Sequence, residues 1–182
     1  MAIFEPADKP HHWQPSALAA GPFAGLQGGA VASLLTAEIE RLAGARNWGT
    51  AISASAWFLR PTPMAELRSK VSVLTEGGRV SVIDNTLWAA DEEAPCATVR
   101  VTLSRERAVE VGGFSGLAND LANDLANEAC DPWQLPLRTA KAAHGRPWFM
   151  DAMEARIGDG VTWFRLGHAI IEGAGPLSSV LG

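Results

Sequence analysis

The sequence predicts an α+β domain in which a curved antiparallel sheet wraps around one long, apolar helix. Three observations carry this expectation. Across residues 28–44, Val31, Leu34, Leu35, Ile39 and Leu42 recur at three- and four-residue steps, the spacing of one helical face. Four strand-like segments follow at 50–60, 66–76, 79–91 and 95–105, and no helical pattern separates them. Strands joined by short turns build an antiparallel meander, because a parallel sheet needs long crossovers.

Each element has its own signal. The first turns of the helix hold only Gly, Ala, Val, Ser, Leu and Thr, while Glu38, Glu40 and Arg41 fall in its second half. Such a helix enters a core at its N-terminus and emerges at its C-terminus, and Gly44 is its expected stop. In the last strand Ala97, Val99, Val101 and Leu103 alternate with Cys96, Thr98, Arg100 and Thr102, the period-two pattern of a half-buried strand. Gly77-Gly78 reads as a tight hairpin between two strands. Residues 1–27, rich in Pro and Gly and carrying His11-His12, read as a mobile arm.

The chain divides into three expected parts. Residues 1–112 form the first unit, closed by Gly112-Gly113. Residues 113–136 form an acidic linker or surface helix, in which Leu117, Leu121 and Leu125 each open an Ala-Asn repeat. Residues 137–182 become apolar and aromatic again and read as the start of a second unit, with too few strands to close a sheet alone.

Composition narrows the function. With 182 residues and 47% apolar content the chain can bury one good-sized core. Fifteen basic against twenty acidic residues give a net charge of -5 with no basic cluster, which argues against holding nucleic acid through its phosphates. No apolar run approaches the roughly 18–20 residues of a membrane span. The N-terminus lacks the basic-then-apolar layout of a secretion signal, so a cytoplasmic location is expected. Two cysteines and four scattered histidines offer neither a disulfide framework nor zinc-ligand spacing, and no metal or cofactor is expected. Seven Trp and six Phe, with no Tyr, suit the lining of apolar space. There is no G-x-S-x-G and no glycine-rich phosphate loop with a Lys.

Three constellations could carry chemistry. Gly25-Leu26-Gln27-Gly28-Gly29-Ala30 enters the helix, whose N-terminus offers unpaired N–H groups and partial positive charge. Gly28 and Gly29 would let a ligand carbonyl approach the backbone, as polarising a thioester or ester requires, and Gln27 would add a side-chain donor. The same glycines would also serve a turn that lets the helix dive under the sheet. Asp84-Asn85 lies in the middle of an apolar strand, either on its wet face or held for a purpose: Asp84 as a general base orienting water, Asn85 as a substrate contact. Trp57 and Arg60 close another strand, Arg60 either meeting a substrate phosphate or forming a surface ion pair. Cys96 has no adjacent His and is not expected to be a nucleophile.

Taken together, the segments resemble the hotdog-fold acyl-CoA thioesterases, in particular the double-hotdog thioesterase II group. The resemblance rests on Leu26-Gln27-Gly28-Gly29-Ala30-Val31, on Ala56-Trp57-Phe58-Leu59-Arg60-Pro61, and on Gly77-Gly78-Arg79-Val80. It covers about residues 20–105 and continues more weakly through Trp163-Phe164-Arg165-Leu166 and Pro176-Leu177-Ser178-Ser179. It implies hydrolysis of an acyl-CoA or related thioester to acid and thiol by a carboxylate-activated water, and a homo-oligomer formed by hotdog pairing. The sequence departs from the group in two ways. Gln27 stands where related proteins often carry His, and the group's catalytic Asp, Thr or Ser, and Gln lie in the second repeat, about where this sequence ends at Gly182. No second-repeat residue is therefore carried over. A non-catalytic acyl-binding module stands as the alternative; a hydratase, which pairs a His with a carboxylate, would have to draw on His144 or His168, outside the well-matched region.

Overall fold

The helix α1 spans Gly28–Arg46, and almost every side chain in its first half is buried. Gln27 precedes it in extended conformation and caps it, its side chain accepting a hydrogen bond from Ala30 N at 3.0 Å. The helix runs two residues past the expected stop at Gly44. Asn47 adopts the left-handed conformation that ends helices (φ 52°), and its N–H bonds back to Ala43 and Gly44 carbonyls. The structure is a computed structural model and describes residues 2–106, 134–138, 145–158 and 161–173.

Around α1 lies a six-stranded antiparallel sheet. Its strands are β1 (Phe4–Pro6), β2 (His12–Pro15), β3 (Thr50–Phe58), β4 (Leu67–Glu76), β5 (Val80–Ala89) and β6 (Ala97–Ser104), in the order β1-β2-β4-β5-β6-β3. Alternation decides which side chains meet the helix. Ser81, Ile83, Asn85, Leu87 and Ala89 of β5 are buried, as are Ala97, Val99, Val101 and Leu103 of β6. Register shifts at Ala51/Ser53 in β3 and Val73/Thr75 in β4 mark bulges, which bend strands and let the sheet curve. At the β4–β5 turn Gly77 N–H donates to Val80 O at 3.1 Å. A Cβ on Gly77 would lie 2.6 Å from that oxygen, so the turn requires glycine.

The N-terminal stretch is not a loose arm. Ile3 and Phe4 are fully buried, β2 pairs with β4, and Trp13 Nε1 donates to Ser69 Oγ at 3.0 Å. Short strands containing Pro6 and Pro15 lack the run length that signals a strand in sequence.

A three-stranded antiparallel sheet, β7 (Leu137–Arg138), β8 (Met153–Gly158) and β9 (Val161–Leu166), follows. This part of the chain packs on the first unit. Ile3 N–H donates to Ala169 O and Phe4 N–H to Ile170 O, at 3.0 and 2.8 Å, and Phe149, Ala152, Ile170 and Ile171 belong to the same buried cluster as α1. The acidic repeat at 117–128, Cys130, His144 and Pro176–Ser179 lie outside the described residues.

The two edges of the main sheet differ. A parallel bridge from Phe4 to Ile171 caps the β1 edge, whereas β3 has no further strand beside it among the described residues. Ile52, Trp57, Phe58 and Leu59, in or just beyond β3, are exposed.

Candidate functional site

The N-terminus of α1 brings together Gln27, Gly28 and Gly29. The first hydrogen bond of the helix is Val31 N to Gln27 O, and the Gln27 side chain takes Ala30 N. The Gly28 and Gly29 N–H groups therefore precede the helical ladder, at the positive end of the helix dipole. Gln27 spends its Oε1 on the cap, and its Nε2 has no partner among the described residues.

Both glycines meet a neighbour closely. A Cβ at position 28 would sit 3.2 Å from the Phe58 ring, and one at position 29 would sit 2.8 Å from Gln27 Oε1 and 3.5 Å from the Phe149 ring. The helix tip is thus flanked by one aromatic ring from β3 and one from the C-terminal segment. Phe149 is anchored by its own N–H to Ala20 O at 2.9 Å, and Arg146 next to it donates to Gly21 and Phe23 carbonyls. The glycines serve close packing and leave two amides available at the same time.

The other expected site residues lie elsewhere. Asp84 points from the opposite face of the sheet. There Arg100 clasps it through both oxygens, Nε to Oδ1 at 2.7 Å and Nη2 to Oδ2 at 2.9 Å. That hydrogen bond first, and the Asp84 charge second, hold the Arg100 guanidinium above its ordinary pKa. Of the two readings of Asp84, the structure has the wet-face one: strand alternation turns it away from α1, and Arg100 occupies its carboxylate. Trp57 is half exposed at the β3 edge, and its neighbour Phe58 reaches Gly28 instead. Arg60 is committed to the loop before β6, bonding Pro95 O at 3.2 Å, Ala94 O, and Glu92 in an ion pair.

Asn85 faces inward as its parity requires, but it binds the middle of α1. Its Nδ2 donates to Leu35 O at 3.0 Å and to Glu38 Oε2 at 2.9 Å. The other Glu38 oxygen, Oε1, shares a hydrogen bond with His11 Nδ1 at 3.0 Å. Glu38 is only 2% exposed. Sequence reasoning assigned Glu38 to the emerging half of the helix. The signal against that was present, since position 38 follows Val31 by seven and Leu34 by four and so falls on the apolar stripe.

Residues 17–104 match the family model of the acyl-CoA thioesterase N-terminal domain. This stretch is a hotdog thioesterase domain. Solved structures agree on the fold. A candidate thioesterase from Novosphingobium aromaticivorans DSM 12444 superposes with a TM-score of 0.61 at 16% identity, over 92% of this chain and 66% of that one. A hotdog-fold protein of unknown function from Alicyclobacillus acidocaldarius gives 0.60 at 14% identity, over 88% and 59%. A candidate thioesterase II from Thermobifida fusca YX gives 0.54 at 15% identity, over 82% and 52%. The chain thus spans between 52% and 66% of the length of these structures. No curated protein matches the sequence. Among the described residues, no helix of the hotdog domain or beyond it is long and apolar enough to cross a membrane.

Proposed function

We propose that the hotdog domain receives an acyl thioester of the acyl-CoA kind at the N-terminus of α1 and takes part in its hydrolysis to free acid and thiol. The carbonyl oxygen meets the Gly28 and Gly29 amides, and the acyl portion lies against Phe58 and Phe149. Water adds to the carbonyl carbon, and the amides hold the resulting oxyanion, stabilising charge that develops only in the transition state. The carbon–sulfur bond then breaks, and the departing thiolate takes up a proton. Gln27 Nε2 stands beside this position as a further donor. One observation carries the reading: two amides outside the helical ladder, flanked by aromatic rings, at the positive end of a buried helix.

The base that activates water comes, on this reading, from a second hotdog unit. No described carboxylate hydrogen-bonds Gln27, Gly28 or Gly29, and the resemblance puts the group's catalytic Asp in the second repeat. The open β3 edge, with its exposed apolar side chains, is where such a unit would pair, since an unpaired edge strand of this kind invites another strand. The partner unit is a second copy of the chain, or one begun by residues 137–182. Ile52→Lys combined with Trp57→Lys is expected to shift sedimentation toward the monomer; an unchanged sedimentation coefficient would remove the edge from the account. A cytoplasmic location belongs to the same reading.

Thiol release from a panel of acyl-CoAs tests the activity. Turnover should fall in Gln27→Ala and persist in Asp84→Ala. The second reading, an acyl-binding module without catalysis, is favoured by the same observation, that no described carboxylate hydrogen-bonds Gln27, Gly28 or Gly29. Saturable binding of acyl-CoA with no thiol released would decide for it.

A further inference from the structure

Toward the other end of α1, a cleft of about 420 Å³ opens between the helix and β4. Small-molecule sites occupy roughly 300–1,000 Å³, so this cleft has room for a small ligand. Leu42, Ala45 and Val71 give it an apolar side, and His11, Arg41 and Lys70 give it positive or proton-bearing groups. Arg41 and Lys70 are exposed, and neither has an ion pair or hydrogen bond among the described residues. The cleft borders a buried polar assembly. Glu38, on the apolar stripe, is held by Asn85 from the sheet and by His11 from the turn before β2. A leucine at position 38 would continue the stripe without burying a charge, so stability alone does not account for a carboxylate there. What the arrangement does is orient a histidine. With Nδ1 held at Glu38 Oε1, Nε2 is the ring atom with no hydrogen bond among the described residues, on a side chain that lines the cleft. The His11 backbone sits at φ 60°, a conformation uncommon for a residue other than glycine, and Ser69 N–H holds its carbonyl at 2.9 Å.

We propose that this cleft binds a small amphiphilic anion: a carboxylate or phosphate head carried on a short aliphatic chain. Arg41, Lys70 and the His11 ring receive the head, and Leu42, Ala45 and Val71 cover the chain. The site is separate from the helix tip. Gly28 and Arg41 lie about 20 Å apart along the helix axis at 1.5 Å per residue, and the proposal does not depend on thioester hydrolysis. Each methylene withdrawn from water should strengthen binding about fourfold, and added salt should weaken it.

Calorimetric titration of the full chain with butanoate, octanoate, octyl phosphate, octanol and inorganic phosphate tests this. One equivalent of octanoate or octyl phosphate is expected to bind saturably, more tightly than butanoate and far more tightly than octanol. Whichever of the two binds more tightly identifies the head. Arg41→Ala with Lys70→Ala should weaken that binding about tenfold or more, as loss of charge-assisted contacts does. Both side chains are exposed, so the fold should survive. Ala45→Trp, which fills the cleft and keeps both cations, should weaken binding as well. A non-hydrolysable acyl-CoA thioether should not compete. The proposal is overturned if neither amphiphile saturates, if both variants bind as the parent does, or if the thioether displaces the ligand. Inorganic phosphate binding as tightly as octyl phosphate would overturn the aliphatic half of it.

Discussion

The two ends of α1 meet polar chemistry in opposite ways. At the N-terminus the backbone supplies the functional groups, and the side chains withdraw. Gly28 and Gly29 carry none, and Gln27 folds back to cap Ala30 N. In the second half every backbone N–H is used within the helix, so any polar chemistry must come from a side chain. There Glu38 supplies it, buried and held by His11 and Asn85. The contrast shows how one helix serves two purposes along its length: bare amides where a ligand must come close, and a buried, hydrogen-bonded carboxyl group where the ladder is complete.

The sharpest way to break this contrast is to remove a partner from the second half. Asn85→Ala leaves one oxygen of the Glu38 carboxylate unpaired in the core. We expect a stability loss of about 3 kcal/mol in urea unfolding, the scale for orphaning a buried charge. A loss under about 1 kcal/mol would mean that Glu38 is neutral or hydrated there. The double substitution Glu38→Leu, Asn85→Leu sharpens the point. With both polar partners gone, stability should return to within about 1 kcal/mol of the parent, and strong non-additivity in the cycle should report their coupling. At the other end, Gln27→Ala removes only a cap and should cost about 1 kcal/mol in the same assay. Its larger effect should appear in thioester turnover. Asp84→Ala lies on the far face and should do least, with thiol release unchanged and unfolding nearly so, because an exposed ion pair contributes little. A clear loss of turnover in that variant would return Asp84 to the site.

Much of the architecture was legible in the residues. The apolar stripe located α1 to within two residues, and β3 to β6 fell inside their expected segments because hydrophobic periodicity is strong over eight to ten residues. The first two strands were not legible. They are three and four residues long, contain Pro6 and Pro15, and owe their place to contacts with distant β4 and with Ile171. The helix tip was legible because Gln27, Gly28 and Gly29 are adjacent in sequence. What flanks it was not, since Phe149 arrives from over a hundred residues away and Phe58, not Trp57, has the inward parity. Asp84 and Asn85 show the limit most plainly. Neighbours in a strand face opposite ways, and only the packed sheet tells which one meets the helix. The Glu38 pairing combined both difficulties, with its own position readable from the stripe and its partners His11 and Asn85 readable only in three dimensions.

The central claim, that an acyl thioester carbonyl seats on the first amides of α1, is tested most directly by following backbone amide resonances of isotopically labelled protein during titration with a non-hydrolysable acyl-CoA thioether. The account predicts that Gly28 and Gly29 shift most, with Phe58 and Phe149 next and the Glu38 region still. Large shifts around Glu38 and Lys70 with Gly28 and Gly29 unmoved would contradict it.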